Sequence, residues 1–139
     1  MARIMAIDYG SKRVGLAVTD PLQMIAGPLD TIHSKDVITY LKKYLEREEV
    51  VLFVLGKPLQ MDGSDSQSAR LVENFLSLLH KNFPAVPVER VDERFTSKMA
   101  QRTLLDAGKK KKDRQDKSLL DKVSATLILQ SYLDSRMYQ

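Results

Sequence analysis

Ile4-Met5-Ala6-Ile7-Asp8-Tyr9-Gly10-Ser11-Lys12-Arg13-Val14-Gly15-Leu16-Ala17-Val18 decides how this chain is read. Two apolar runs flank a short polar segment with glycine on either side. That pattern predicts two strands joined by a reversal, over residues 3–8 and 14–19. The first run is apolar at nearly every position, as in a strand covered on both faces. Gly10 and Gly15 free the backbone to turn. Asp8 stands where the first run stops. A strand would fix its direction while the carboxylate reaches past the sheet edge, which suits a metal ligand. A turn-former beside a glycine is the plainer account of the same residue.

Outward from this hairpin, Pro28-Leu29-Asp30-Thr31-Ile32 reads as a short third strand. Ser34 then resembles an N-cap, with Asp36 in the first turn. Val37, Ile38, Leu41, Tyr44 and Leu45 recur at helical spacing and predict an amphipathic helix over 35–48. Val50-Val51-Leu52-Phe53-Val54-Leu55 is β-branched, unbroken and short, the pattern of a central parallel strand. A loop from Gly56 to Gly63 carries Lys57, Gln60 and Asp62. Ser64-Asp65-Ser66-Gln67 resembles a capping box, opening a helix that runs to about Asn82. Pro84 and Pro87 lead into a strand from Val86 to Val91, which ends in Asp92-Glu93-Arg94. A helix over 97–106, a mobile lysine-rich loop over 109–117 and a last helix from Ser118 to Asp134 complete the chain. Strands first, then helix and strand in alternation, point to an α/β sheet of mixed direction with helices on both faces.

The 139 residues suffice for one domain with a real core and not for two large ones. With no cysteine, disulfides and thiolate metal sites are excluded, which agrees with a reducing cytoplasm. Arg3 and Asp8 interrupt the opening apolar run, so no signal-peptide core is expected there. No stretch approaches the length of a membrane span. The net charge of +4 is mild, but Lys109, Lys110, Lys111, Lys112, Arg114 and Lys117 lie close together. Such a cluster can meet phosphate backbones; it serves equally as a solvated loop.

Three carboxylate positions stand out. Asp8 ends the first strand, Asp92 and Glu93 end the last, and Asp121 sits in the first turn of the last helix. Carboxyl ends of parallel strands gather on one sheet edge, where ligands bind. Ser124, Ala125 and Ile128 share the helix face of Asp121, so small residues would let that helix come close to the sheet. Burying a lone carboxylate there is costly, and a divalent cation shared by several carboxylates removes the cost. Carboxylates without cysteine and with few histidines favour Mg²⁺ or Mn²⁺. Two such ions can activate water and stabilise the leaving oxygen in phosphodiester cleavage. Lys12, Arg13, Lys57, Arg94 and the 109–117 loop could bring a polyanion to them. Plainer accounts are a helix N-terminal acid for the Asp92-Glu93 pair and a helix-dipole acid for Asp121. His33 and His80 read as surface residues.

These residues resemble a known family. Ile7 to Ala17 looks like its opening motif, and Gly56-Lys57-Pro58-Leu59-Gln60-Met61-Asp62-Gly63 like its middle motif, where leucine is common at the position of Lys57. Asp92-Glu93-Arg94-Phe95-Thr96-Ser97 looks like its third motif, and Asp121 to Leu133 like its closing helix. The family is YqgF, also called RuvX, and the resemblance spans essentially the whole chain. It implies an RNase H-like five-stranded mixed sheet similar to that of RuvC resolvases. It also implies a cytoplasmic, divalent-metal nuclease acting in 5′-end maturation of 16S rRNA, with Asp8, Glu93 and Asp121 as catalytic and metal-binding acids. Two departures from RuvC-type enzymes stand in this sequence: no acid occurs in Leu55-Gly56-Lys57-Pro58, and the first half of the last helix offers only Asp121.

The leading expectation is a metal-dependent nuclease on structured RNA, with ribosomal particles as further partners and a monomeric or weakly dimeric state. Its nucleic-acid contacts would come from Lys12, Arg13, Lys57, Arg94, Lys109, Lys110, Lys111, Lys112 and Arg114. Holliday junction resolution on branched DNA uses the same acids and is the first alternative. A non-catalytic RNA-binding assembly factor on the same fold is the second. Asp8-Tyr9-Gly10 also resembles the phosphate loop of actin-like sugar kinases, but those need two such domains and this chain has room for one.

Overall fold

A computed structural model describes residues 2–58, 69–92 and 117–137. The opening stretch forms the expected hairpin: β1 (Arg3–Tyr9) runs antiparallel to β2 (Arg13–Thr19), with Asp8 opposite Gly15. β3 (Ala26–His33) pairs with β2 along its whole length and is longer than the sequence suggests. Between Leu16 and Ala17 the register shifts, so that their partners are Asp30 and Pro28 and Leu29 is the extra residue. Pro28 can sit there because β3 is an edge strand. Then follow α1 (Val37–Arg47), β4 (Val50–Lys57), α2 (Ala69–Asn82), β5 (Val88–Asp92) and α3 (Lys117–Met137). The sheet order is β3-β2-β1-β4-β5, with β4 and β5 parallel to β1. β1 is the middle strand of the five, and β4, with a parallel neighbour on each side, holds the interior parallel position its sequence predicts. The segments predicted as a capping box, a helix over 97–106 and most of the lysine-rich loop lie outside the described residues.

Alternation along β1 explains its unbroken apolar run. Met5 and Ile7 face a core shared with Val37, Leu41 and Tyr44 of α1 and Val72, Phe75 and Leu79 of α2. Ile4 and Ala6 face a second core with Ala125, Ile128, Leu129 and Leu133 of α3. The helices thus cover both faces, and the α3 side is the one built from small residues.

Two local readings are corrected. Ser34 does not cap α1: the N-cap is Asp36, which makes no side-chain cap bond. Because β3 keeps pairing up to His33 opposite Arg13, Ser34 arrives at the hairpin tip. Its N–H donates to the Lys12 carbonyl (3.1 Å) and its Oγ to the Ser11 carbonyl (2.7 Å). α3 begins at Lys117, so Asp121 lies in the second turn, where the helix dipole no longer accounts for it.

At the far end of the hairpin the β1–β4 register slips between Arg3 and Ile4. The buried Thr19 Oγ1 accepts the Ile4 N–H there at 3.0 Å. Thr19→Val keeps the shape and leaves that buried N–H without its partner. We expect a loss of about 1–3 kcal/mol in urea-monitored unfolding, the usual cost of an unsatisfied buried donor.

Candidate functional site

Asp8 follows Ile4 and Ala6 on the face of β1 that α3 covers. Directly across the hairpin is Gly15, and beyond Gly15 is the backbone of Asp121. A Cβ built on Gly15 would run into the Asp121 carbonyl oxygen, with the carbonyl carbon at 2.6 Å and Asp121 Cβ at 3.1 Å. Only glycine permits this approach, and a glycine inside a strand is the sequence signal for it. Ser124 and Ala125, both buried, continue the close contact along α3. The outcome is that the first strand and the last helix bring two carboxylates to one place. Asp8 and Asp121 line a cleft of about 270 Å³ together with Gly10, Ser11, Lys12 and Arg13.

The cleft wall is held from behind. The Gly10 N–H donates to the Arg13 carbonyl at 3.0 Å, closing the tight turn. The two bonds from Ser34 fasten the tip to the start of α1. Tyr9, pointing to the other face, stacks on Phe75 of α2 with ring centroids 4.3 Å apart. Across the opening, Arg13 Nε donates to Asp121 Oδ2 at 2.8 Å. The side chains are 43% and 20% exposed, so the pair adds at most about 1 kcal/mol to stability. Its interest is electrostatic: it marks Asp121 as a carboxylate that takes a cation.

Of the residues singled out in the sequence, Asp8, Lys12, Arg13 and Asp121 come together. Lys57 and Asp92 do not. They are partners at the ends of β4 and β5, and alternation puts both on the face of α1 and α2. Lys57 shares a face with Phe53 and Leu55. Asp92 shares one with Val88 and with Arg90, whose Nη1 donates to Glu73 of α2 at 2.8 Å. Lys57 is therefore not among the residues that line the cleft. Glu93, Arg94, Lys109, Lys110, Lys111, Lys112 and Arg114 lie outside the described residues. His33 serves the turn, its Nδ1 accepting the Lys35 N–H at 3.0 Å. Sequence reasoning missed the bracing by Ser34 and the lining by Ser11, which no local pattern signals.

Among the described residues no group of three or more histidine, aspartate or glutamate side chains is placed to hold a metal. The two carboxylates that do line the cleft are hard oxygen donors of the kind that Mg²⁺ and Mn²⁺ prefer. They fit such an ion as part of a ligand set.

The sequence profile of the RuvX family, described as Holliday junction resolvase, matches residues 2–135. The chain belongs to the RuvX family. A relative from Phocaeicola vulgatus is 51% identical over 99% of both chains, and one from Porphyromonas gingivalis is 53% identical over 97% of this chain and 98% of its own. Both carry the name "Putative pre-16S rRNA nuclease". Among solved structures, Thermus thermophilus RuvC in complex with a Holliday junction substrate aligns over all of this chain and 98% of its own, with a TM-score of 0.62 at 17% identity. RuvC from the same organism, in a second structure, aligns with a TM-score of 0.58. At that identity the likeness concerns the fold: RuvX shares the mixed five-stranded, RNase H-like sheet of RuvC. No helix among the described residues is long and apolar enough to cross a membrane.

Proposed function

We propose that this RuvX protein is a divalent-metal nuclease that trims the 5′ end of pre-16S rRNA. The observation that carries the reading is the convergence of Asp8 and Asp121 on one cleft with Lys12 and Arg13 at its wall. The names of relatives at about half identity over the whole chain give the substrate. Asp8, Asp121 and Glu93 are the proposed catalytic acids and metal ligands. Glu93 is preferred to Asp92 because Asp92 shares the strand face turned to α2. Mg²⁺ or Mn²⁺ bound there would polarise the phosphodiester and lower the pKa of its attacking water. Lys12 and Arg13 would steer and hold the phosphate backbone, joined by Arg94, Lys109, Lys110, Lys111, Lys112 and Arg114. The whole chain acts as one nuclease domain in the cytoplasm, as a monomer or weak dimer, on free precursor or on ribosomal particles.

A second reading is resolution of branched DNA, favoured by the family description and by the RuvC-like sheet. Incubating the protein with a 5′-extended 16S precursor and, in parallel, a four-way DNA junction decides between them. Cleavage of the RNA in Mg²⁺ or Mn²⁺ and not in EDTA is expected. Cleavage of the junction alone would transfer the function to DNA, and binding without cleavage of either would leave an assembly factor.

A further inference from the structure

We infer that Arg13 is an exchangeable counter-cation: its guanidinium and the divalent ion compete for the Asp121 carboxylate. This rests on the metal-nuclease reading above and adds a specific role for one residue of this chain.

Asp121 is fixed because its backbone is wedged against Gly15. The Arg13 backbone is fixed in β2 and by the Gly10–Arg13 hydrogen bond of the tip. Only the side chains need to rotate for the contact to open. With 43% of the Arg13 side chain exposed, its guanidinium can leave for solvent with little loss of packing. As it stands, the guanidinium occupies one oxygen, Oδ2, at 2.8 Å, and an incoming cation must displace it or sit beside a like charge.

Charge balance makes the exchange consequential. The cleft is lined by two acids, Asp8 and Asp121, and two bases, Lys12 and Arg13. The formal charges of these four described residues cancel, and the proposed Glu93 adds one more negative charge. A divalent ion on the acids turns the same cleft positive and releases a guanidinium at its wall. Arginine pairs with phosphate in a two-pronged geometry that lysine cannot match. Loading the ion therefore creates the phosphate site, and metal and nucleic acid should bind with positive cooperativity. The cost of this arrangement is weaker metal binding in the absence of substrate.

Mn²⁺ binding to the full chain, followed by electron paramagnetic resonance, tests the exchange without relying on cleavage. Arg13→Gln should tighten Mn²⁺ binding by about 2- to 5-fold, the scale of one partly exposed charge contact. Arg13→Lys, which keeps a charge but loses the fork, should fall between Gln and wild type. In the Asp121→Asn background the tightening should vanish. Unchanged or weaker Mn²⁺ binding in Arg13→Gln overturns the proposal, as does a tightening that persists without the Asp121 carboxylate. If Asp8→Asn and Asp121→Asn leave Mn²⁺ binding as in wild type, the metal reading itself fails, and the exchange with it. Circular dichroism melts of each variant separate these outcomes from misfolding.

Discussion

Asp8→Asn is expected to lower metal-dependent cleavage of the RNA by more than about 100-fold while the fold survives. The size follows from position. Changing a residue that only supports a metal ligand costs about 10- to 100-fold, and Asp8 lines the cleft itself, so removing its charge should cost more. The fold should survive because Asn has nearly the same shape and Asp8 is partly exposed at the end of β1, beyond the fully buried Ile4 to Ile7. The comparison is single-turnover cleavage at saturating Mn²⁺ with the thermal midpoint measured alongside. Equal cleavage by the variant would remove Asp8 from the mechanism. A collapse of the midpoint would make it a structural residue instead.

Gly15→Ala should damage both stability and activity, although it adds one methyl to a residue that is not itself a predicted ligand. Its Cβ would collide with the backbone of Asp121, which cannot move aside like the end of a flexible side chain. Either α3 shifts off the sheet or β2 bends. Overpacking of this kind typically costs about 1–3 kcal/mol. The same displacement carries Asp121 away from Asp8, so cleavage should fall by at least about 100-fold even at temperatures where the variant is folded, since a misplacement of about 1 Å can cost that much. Ala17→Ser, one residue pair along the same buried face, serves as the comparison: it should cost stability without the same loss of activity. If Gly15→Ala retained full activity, close approach of α3 would not be needed for the site.

Most of the architecture was legible because it rests on periodicity. The apolar run at Ile4–Ile7 is buried on both faces, the stripe on α1 points into the core, and the small residues after Asp121 do mark a close helix–sheet contact. Asp8 was legible for the same reason: a carboxylate ending an apolar strand has few other places to go. The face of Lys57 was not legible, because sequence proximity to the strand end says nothing about face. One residue of register decides it, and Lys57 falls with Phe53 and Leu55. The N-cap assigned to Ser34 failed because a competing partner, the hairpin tip, exists only once β3 has paired with β2.

The sequence by itself determined the described strands and helices, the two-sided sheet and the acids proposed for the chemistry, since those depend on hydrophobic spacing and residue type. Only the tertiary structure decided which charges meet. Arg13 and Asp121 are 108 residues apart, and no local pattern links them. They touch because Gly15 lets a distant helix descend onto the hairpin. A contact of that kind follows from packing distance, and packing distance is a property of the folded chain.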